Sequence, residues 1–193
     1  MRMITQIKNE DVLKPFLTDK CEDAGICSTI DNSISDDDIA IVKVDDYYHS
    51  VGLEIIPPAA DFLVSVDCLR DRYVLYIIEL KNIGSPSSFE VKNVYGKFKT
   101  TVEDFMNIRF AHIYANKKYK IFDLLIYFIA DPYRLSRLGI NYDEYKARRL
   151  ARGKTDSTRV DNLLAQKPLK FREKVYIIKY DLPPNPIIKK LAV

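Results

Sequence analysis

Histidine is scarce in this chain, with only His49 and His112 in 193 residues. Cysteine is little commoner: Cys21, Cys27 and Cys68 make an odd number and form no CxxC pair. Zinc does not fit that spacing, and two distant histidines disfavour His-based metal or triad chemistry. Unpaired thiols suit a reducing, cytoplasmic setting. No apolar run reaches the roughly 18 residues that a membrane-spanning helix needs. The opening residues, MRMITQIKNEDVLKPFL, carry acids and lack a continuous apolar centre, so they do not read as a signal peptide. Internal repeats and low-complexity segments are absent as well.

What is present reads as globular. Hydrophobic residues make up 47% of the chain and charged residues 30%, at a length sufficient for one domain with a sizeable core. The formal net charge of +3 is unevenly spread. Residues 1–133 hold 15 Lys and Arg against 21 Asp and Glu, a net of −6. Residues 134–193 hold 15 against 6, a net of +9. A basic C-terminal third on an acidic body suggests a polyanion-binding face; a solvated basic surface is the plainer reading.

Periodicity sketches the elements. A short helix is expected around Glu10 to Leu17. SDDDIAIVKV (35–44) reads as a strand because it is rich in Ile and Val, although its apolar residues would also surround a helix. VGLEII (51–56) is a further candidate strand, ended by Pro57 and Pro58. DFLVSVDCL and RYVLYIIELKN, joined closely, predict an antiparallel hairpin. Ser87 with Glu90 has the spacing of a capping box, and an amphipathic helix is predicted from Ser88 to about Tyr114. Val91, Val94, Tyr95, Phe98, Val102, Phe105, Met106 and Ile113 would share its buried face, and Lys92, Lys99, Glu103 and Asn107 the other. IFDLLIYFIA (121–130) is apolar on both faces, as a central strand should be. A second helix follows, capped by Asn141 with Glu144 and stopped by Gly153. The strand KVYIIKY and a proline-rich tail complete the chain. This order indicates an α/β domain with a mixed sheet.

Inside the hairpin, Glu79 and Lys81 interrupt a strongly apolar strand. Burying charge costs several kcal/mol unless it is paired or used. If the turn centres near Arg70, Asp61 lies opposite Glu79, and alternation puts Asp61, Glu79 and Lys81 on one sheet face. Two facing carboxylates repel unless a cation sits between them. Mg²⁺ takes one or two protein carboxylates and keeps several waters, and Lys81 would reach a metal-bound water or a phosphate oxygen. Such a set suits metal-assisted phosphodiester hydrolysis. Asp67, the rival acid on this face, lies six residues away and opposes Tyr73 near the turn. Other Glu-x-Lys runs, at Glu90 and Glu144, are explained by helix capping. Asp123 reads as a strand-start residue and His112 as the edge of the core.

The segment PPAADFLVSVDCLRDRYVLYIIELKN (57–82) resembles the core of the PD-(D/E)xK nuclease superfamily. In that family an Asp opens one strand, Glu-x-Lys ends its neighbour, and a helix and a strand follow. Asp61, Glu79 and Lys81 match the three motif positions, with Ala60 where the motif name has proline. The resemblance covers about residues 51–130. It implies a restriction-endonuclease-like core over about 39–130, a mixed central sheet flanked by helices, within one domain of residues 1–193. The implied activity is Mg²⁺-dependent endonucleolytic cleavage of DNA, with Mn²⁺ as a possible substitute. Asp61, Glu79 and the backbone carbonyl of Leu80 would hold the metal, and Lys81 would orient the attacking water. Lys97 and Lys99 lie on the following helix, where such nucleases often place residues that touch DNA or the site. Many members carry a further acid on an N-terminal helix; Glu10, Glu22, Asp45 and Asp46 are weak candidates. The basic C-terminal part (134–193), with Arg148, Arg149, Arg152 and Lys154, would grip phosphates. A homodimer is a further expectation from the resemblance. A Holliday-junction or repair nuclease, or a non-catalytic DNA- or protein-binding module of this fold, are the alternatives.

Overall fold

A computed structural model of the chain describes residues 1–69, 71–83, 85, 90–155 and 158–191. Met3, Ile4 and Ile7 recur at helical spacing and are buried, so the chain opens with helix α1, Met3–Asn9. The helix expected over 10–17 is a correction. That stretch buries only Leu13 fully and leaves Val12 exposed, so it has no apolar face to fold on. It makes a single 3₁₀ turn, Lys14–Phe16, and then the short strand β1, Leu17–Thr18.

A hairpin of β2, Cys21–Asp23, and β3, Ile26–Ser28, comes next. In the segment 35–44 the three acids form a 3₁₀ turn, and the Ile and Val residues form β4, Ile39–Lys43, largely buried. Helix α2, Val44–Ser50, leads directly from it. No strand forms over 51–56, contrary to expectation. Gly52 takes a left-handed φ of +64°, and Ile55 and Ile56 are left in water.

The predicted hairpin is present. Strand β5, Phe62–Asp67, pairs antiparallel with β6, Arg72–Lys81. Its register runs from Phe62 opposite Ile78 to Asp67 opposite Tyr73, the register predicted from the sequence. Ser87, expected to cap the next helix, lies outside the described residues. Helix α3 begins at Val91 rather than Ser88, because Glu90 is still extended. It runs to Thr100 and passes into nine residues of π-helix, Thr101–Arg109, before a last turn, α4, Ala111–Tyr114. The expected apolar face holds: Val94, Phe98, Val102, Phe105, Met106 and Ile113 are all buried. Each full burial of such a side chain is worth about 1.5–3 kcal/mol.

Strand β7, Lys120–Ala130, then pairs with β6 in parallel, the helical crossover between them making this possible. Asp123 stands within β7, beside a register irregularity, and accepts the Leu124 amide. Helix α5, Tyr142–Ala151, is capped by Asn141, whose side chain accepts the Glu144 amide at 2.8 Å. Glu144 itself turns to Arg148, and Gly153 ends the helix region with φ +68°. Helix α6, Arg159–Ala165, carries a full Thr158–Asp161 capping box. The stretch predicted as one strand, KVYIIKY, divides at the exposed Ile177. Its first part forms β9, Lys174–Tyr176, in a hairpin with β8, Leu169–Phe171; its second forms β10, Ile178–Asp181.

The main sheet has six strands in the order β1-β4-β5-β6-β7-β10. It is mixed: β1, β4, β5 and β6 run antiparallel to one another in turn, while β6, β7 and β10 are parallel. Leu63, Tyr73, Leu75 and Ile77 point into one apolar cluster with the buried residues of α1, α2, α3, α5 and α6. Phe62, Val64, Val66, Val74 and Tyr76 point into another, on the opposite face. The molecule is thus α/β, with helices against the mixed sheet. Among the described residues no helix is long and apolar enough to cross a membrane.

Candidate active site

Asp61 stands one residue before β5, and its carbonyl accepts the Val44 amide at 3.0 Å, tying the start of β5 to α2. Its carboxylate reaches across the hairpin: Oδ2 accepts the Leu80 amide at 2.7 Å. Glu79 belongs to the residue set of β6 that faces the helices, and only 1% of its surface is exposed. The two acids therefore meet at one end of the hairpin, as the register requires. Asp67 is elsewhere. It binds the Arg2 guanidinium at the turn end of β5, which explains its burial structurally.

The cation between the two carboxylates is Lys97. Its Nζ lies 2.7 Å from Glu79 Oε1 and 3.6 Å from Asp61 Oδ1, and its side chain is 18% exposed. Of the two helix lysines expected to touch DNA or the site, Lys97 is the one that turns inward to the acids. Two turns of α3 bring it over the end of β6. Lys81 stays exposed at the strand end, close enough for its charge to favour the ionised form of Glu79.

Thr101 locks this arrangement. Its fully buried hydroxyl accepts the Ala60 amide at 3.0 Å and donates to the Lys97 carbonyl at 3.0 Å. One side chain thus joins the residue before Asp61 to the helical turn that carries Lys97. Further along, Tyr48 donates to Asp104 at 2.6 Å and Arg109 donates to the same oxygen at 2.6 Å. The Arg109 guanidinium also lies over the Tyr48 ring, 5.1 Å from its centre. This network fastens α2 to the π-helix.

Electrostatics set the two acids apart from ordinary carboxylates. Burial raises the pKa of Glu79, and the neighbouring Asp61 raises it further, outweighing Lys97. Burial likewise raises that of Asp61, against the pull of Lys97 and the Leu80 amide. For Lys97 burial favours the neutral amine, but Glu79 and Asp61 together outweigh it and the pKa rises. Burial thus favours retention of protons on the two acids above the usual carboxylate range. Glu79 Oε2 is buried and accepts no hydrogen bond among the described residues.

Two further acids act on this site: Asp45, a weak candidate in the sequence, and Asp23, which sequence reasoning missed. Asp23, from the β2–β3 hairpin, and Asp45, from the first turn of α2, both raise the Asp61 pKa. With Glu22 and Asp46 they line a small cavity of about 80 Å³ beside Asp61. Asp23 carried no local signal, and Asp45 could be placed only once α2 was known to follow β4. Glu10 is remote from this cluster, bonded to His112 at 2.9 Å. That contact also leaves His112 exposed, not at the edge of the core.

Two carboxylates, one with a free buried oxygen, match the protein's share of a Mg²⁺ shell. Among the described residues no group of three or more acidic, histidine or cysteine side chains is placed to hold a metal. Leu80 contributes its amide, to Asp61.

The expected phosphate-binding residues divide. Lys99 is exposed and pairs loosely with Glu103, at 3.7 Å. Arg148 pairs with Glu144 at 2.6 Å, and the Arg149 Nε donates to the Thr155 carbonyl at 3.1 Å. Arg152 and Lys154 are exposed. Tyr142, Val160 and Leu164, from α5 and α6, pack in the same cluster as Val94 and Phe98 of α3. Helices α5 and α6 of the basic C-terminal third therefore pack on the sheet face that carries the two acids, while its last residues, with Ile188, pack on the other. No protein-family model, no curated protein and no solved structure matches this chain.

Proposed function

We propose that this protein is a Mg²⁺-dependent endonuclease of restriction-endonuclease-like fold that hydrolyses DNA phosphodiester bonds. The observation that carries the reading is the convergence of Asp61 and Glu79, from adjacent strands, on one cation position, with a buried Glu79 oxygen unpartnered among the described residues. The order of elements supports it: an antiparallel run β4-β5-β6, a helical crossover and a parallel β7 correspond to the layout that the PD-(D/E)xK resemblance implies.

In this reading Asp61 and Glu79 hold the metal, and the Leu80 amide aims the Asp61 carboxylate. A bound Mg²⁺ would supply charge neutralisation at the phosphate and an activated water. Lys81 stands at the rim, exposed, where its ammonium can orient that water or meet a phosphate oxygen. The α5 and α6 region offers cations on the same face to hold the DNA backbone in register without reading bases. A pair of copies would cut both strands.

The test is cleavage of linear duplex DNA by purified protein with Mg²⁺ or Mn²⁺, beside nicked and four-way substrates. Asp61→Asn and Glu79→Gln are expected to abolish cutting, and Lys81→Ala to lower it by about 10²-fold or more, the scale on which removing a transition-state donor acts. Binding without cutting, or equal residual cleavage by wild type and all three variants, would leave a non-catalytic DNA-binding module.

A further inference from the structure

Lys97 occupies the position that a divalent ion would need. An ammonium 2.7 Å from one carboxylate and 3.6 Å from the other satisfies the same two charges that a metal would bind. Both cannot fill that space, since a Mg²⁺ ion takes its oxygens at about 2 Å and repels a neighbouring ammonium. From this geometry, and resting on the nuclease reading above, we propose that Lys97 is a resident counter-ion and that metal enters the site only by exchange with it.

The surroundings suit such an exchange. Lys97 is held by its carboxylate partners at the tip, while its backbone is fixed by Thr101 at the base. A lysine stem is flexible along its four carbons, so the head can leave while the helix stays. Its side chain is already 18% exposed, which gives the displaced head a route to water. Glu79 has no such freedom. It is 1% exposed on a central strand, so a site without both metal and ammonium would leave its charge buried and unpaired. Exchange keeps one cation on the acids at every stage. The released ammonium remains at the mouth of the site beside Lys81, where the phosphate of a substrate would be its new partner.

The inference makes Lys97 a competitor for metal, which is opposite to a residue that helps assemble the site. Binding of Mn²⁺, followed by calorimetry or by its paramagnetic resonance signal, separates the two. Lys97→Met keeps most of the length of the side chain and removes the charge. It is expected to bind Mn²⁺ about tenfold more tightly than wild type, a gain of about 1.4 kcal/mol. Lys92→Met, at an exposed position of the same helix and outside the site, is expected to change the affinity far less. Wild-type protein provides a second readout that needs no variant. Acetylation of Lys97, located by peptide mass spectrometry, is expected to be slow in metal-free protein and faster with Ca²⁺.

If wild type binds Mn²⁺ but Lys97→Met binds it equally or more weakly, and Ca²⁺ leaves Lys97 acetylation unchanged, the exchange is wrong while the metal site stands. If wild type, Asp61→Asn and Lys97→Met all fail alike to bind Mn²⁺, the metal-dependent reading itself falls, and the exchange with it.

Discussion

Glu79 and Asp61 are acids that the fold keeps partly protonated, and this has a consequence for stability. Their pKa values are raised on folding, with burial the leading cause. Above the ordinary carboxylate range of about 4, the folded protein therefore binds more protons than the unfolded chain. The stabilisation that the neutral acids provide is present at low pH and is lost as pH rises through the raised values. Metal-free protein is expected to lose thermal stability between mildly acidic and mildly alkaline pH, and Mg²⁺ to restore part of it at the alkaline end. Glu79→Gln, which cannot ionise, should flatten this slope; thermal melts across pH in both proteins check it. Thr101 is the other residue with a sharp expectation. Thr101→Val keeps the shape but leaves the buried Ala60 amide without its acceptor, at a cost of about 1–3 kcal/mol by chemical denaturation. Because Thr101 also anchors Ala60, the residue before Asp61, the variant should cut DNA more slowly at saturating Mg²⁺.

Among the elements, those legible in the sequence were those whose periodicity and turn chemistry agree. The β5–β6 hairpin could be registered from its close turn and from alternation alone, and Asp67 opposite Tyr73 follows from the same pairing. The α3 face was readable because Val94, Phe98, Val102 and Phe105 all point one way. Local pattern misled where the apolar residues have nothing to pack on, as at Ile55 and Ile56, and where a helix such as α2 begins without any capping side chain. The passage of α3 into a π-helix left no trace that a helical wheel could detect. Its partner network offers a test. Asp104→Ala removes the acceptor shared by Tyr48 and Arg109 and leaves the half-buried guanidinium without its carboxylate. It is expected to destabilise the protein by about 2–3 kcal/mol, the scale of hydrogen bonds to charged groups, read from the denaturation midpoint.

At the scale of the molecule, charge and topology combine. The acidic part of the chain builds the site and every strand of the main sheet except β10, and the basic part packs α5 and α6 over the same face as the acids. DNA affinity should then depend steeply on salt. The triple variant Arg148→Ala, Arg149→Ala, Arg152→Ala is expected to reduce the slope of log K against log salt by about two to three, near 0.9 for each phosphate that is no longer neutralised. Binding measured from low to moderate salt checks it; an unchanged slope would mean that these arginines face away from the DNA.

By itself the sequence determined the strand-helix-strand order, the hairpin and the pairing of Asp61 with Glu79. Each of these follows from alternation and turn length, which are local rules. It placed Asp67 off the site for the same reason. Only the tertiary structure decided which lysine lies between the acids. Lys81 follows Glu79 by two residues and shares its strand, yet ends exposed, while Lys97, eighteen residues away on the following helix, is carried inward by α3. The fold also brought Asp23 and Asp45 to the rim. Contacts of that kind depend on how a helix crosses a sheet and how far a side chain reaches, and no spacing along the chain encodes them.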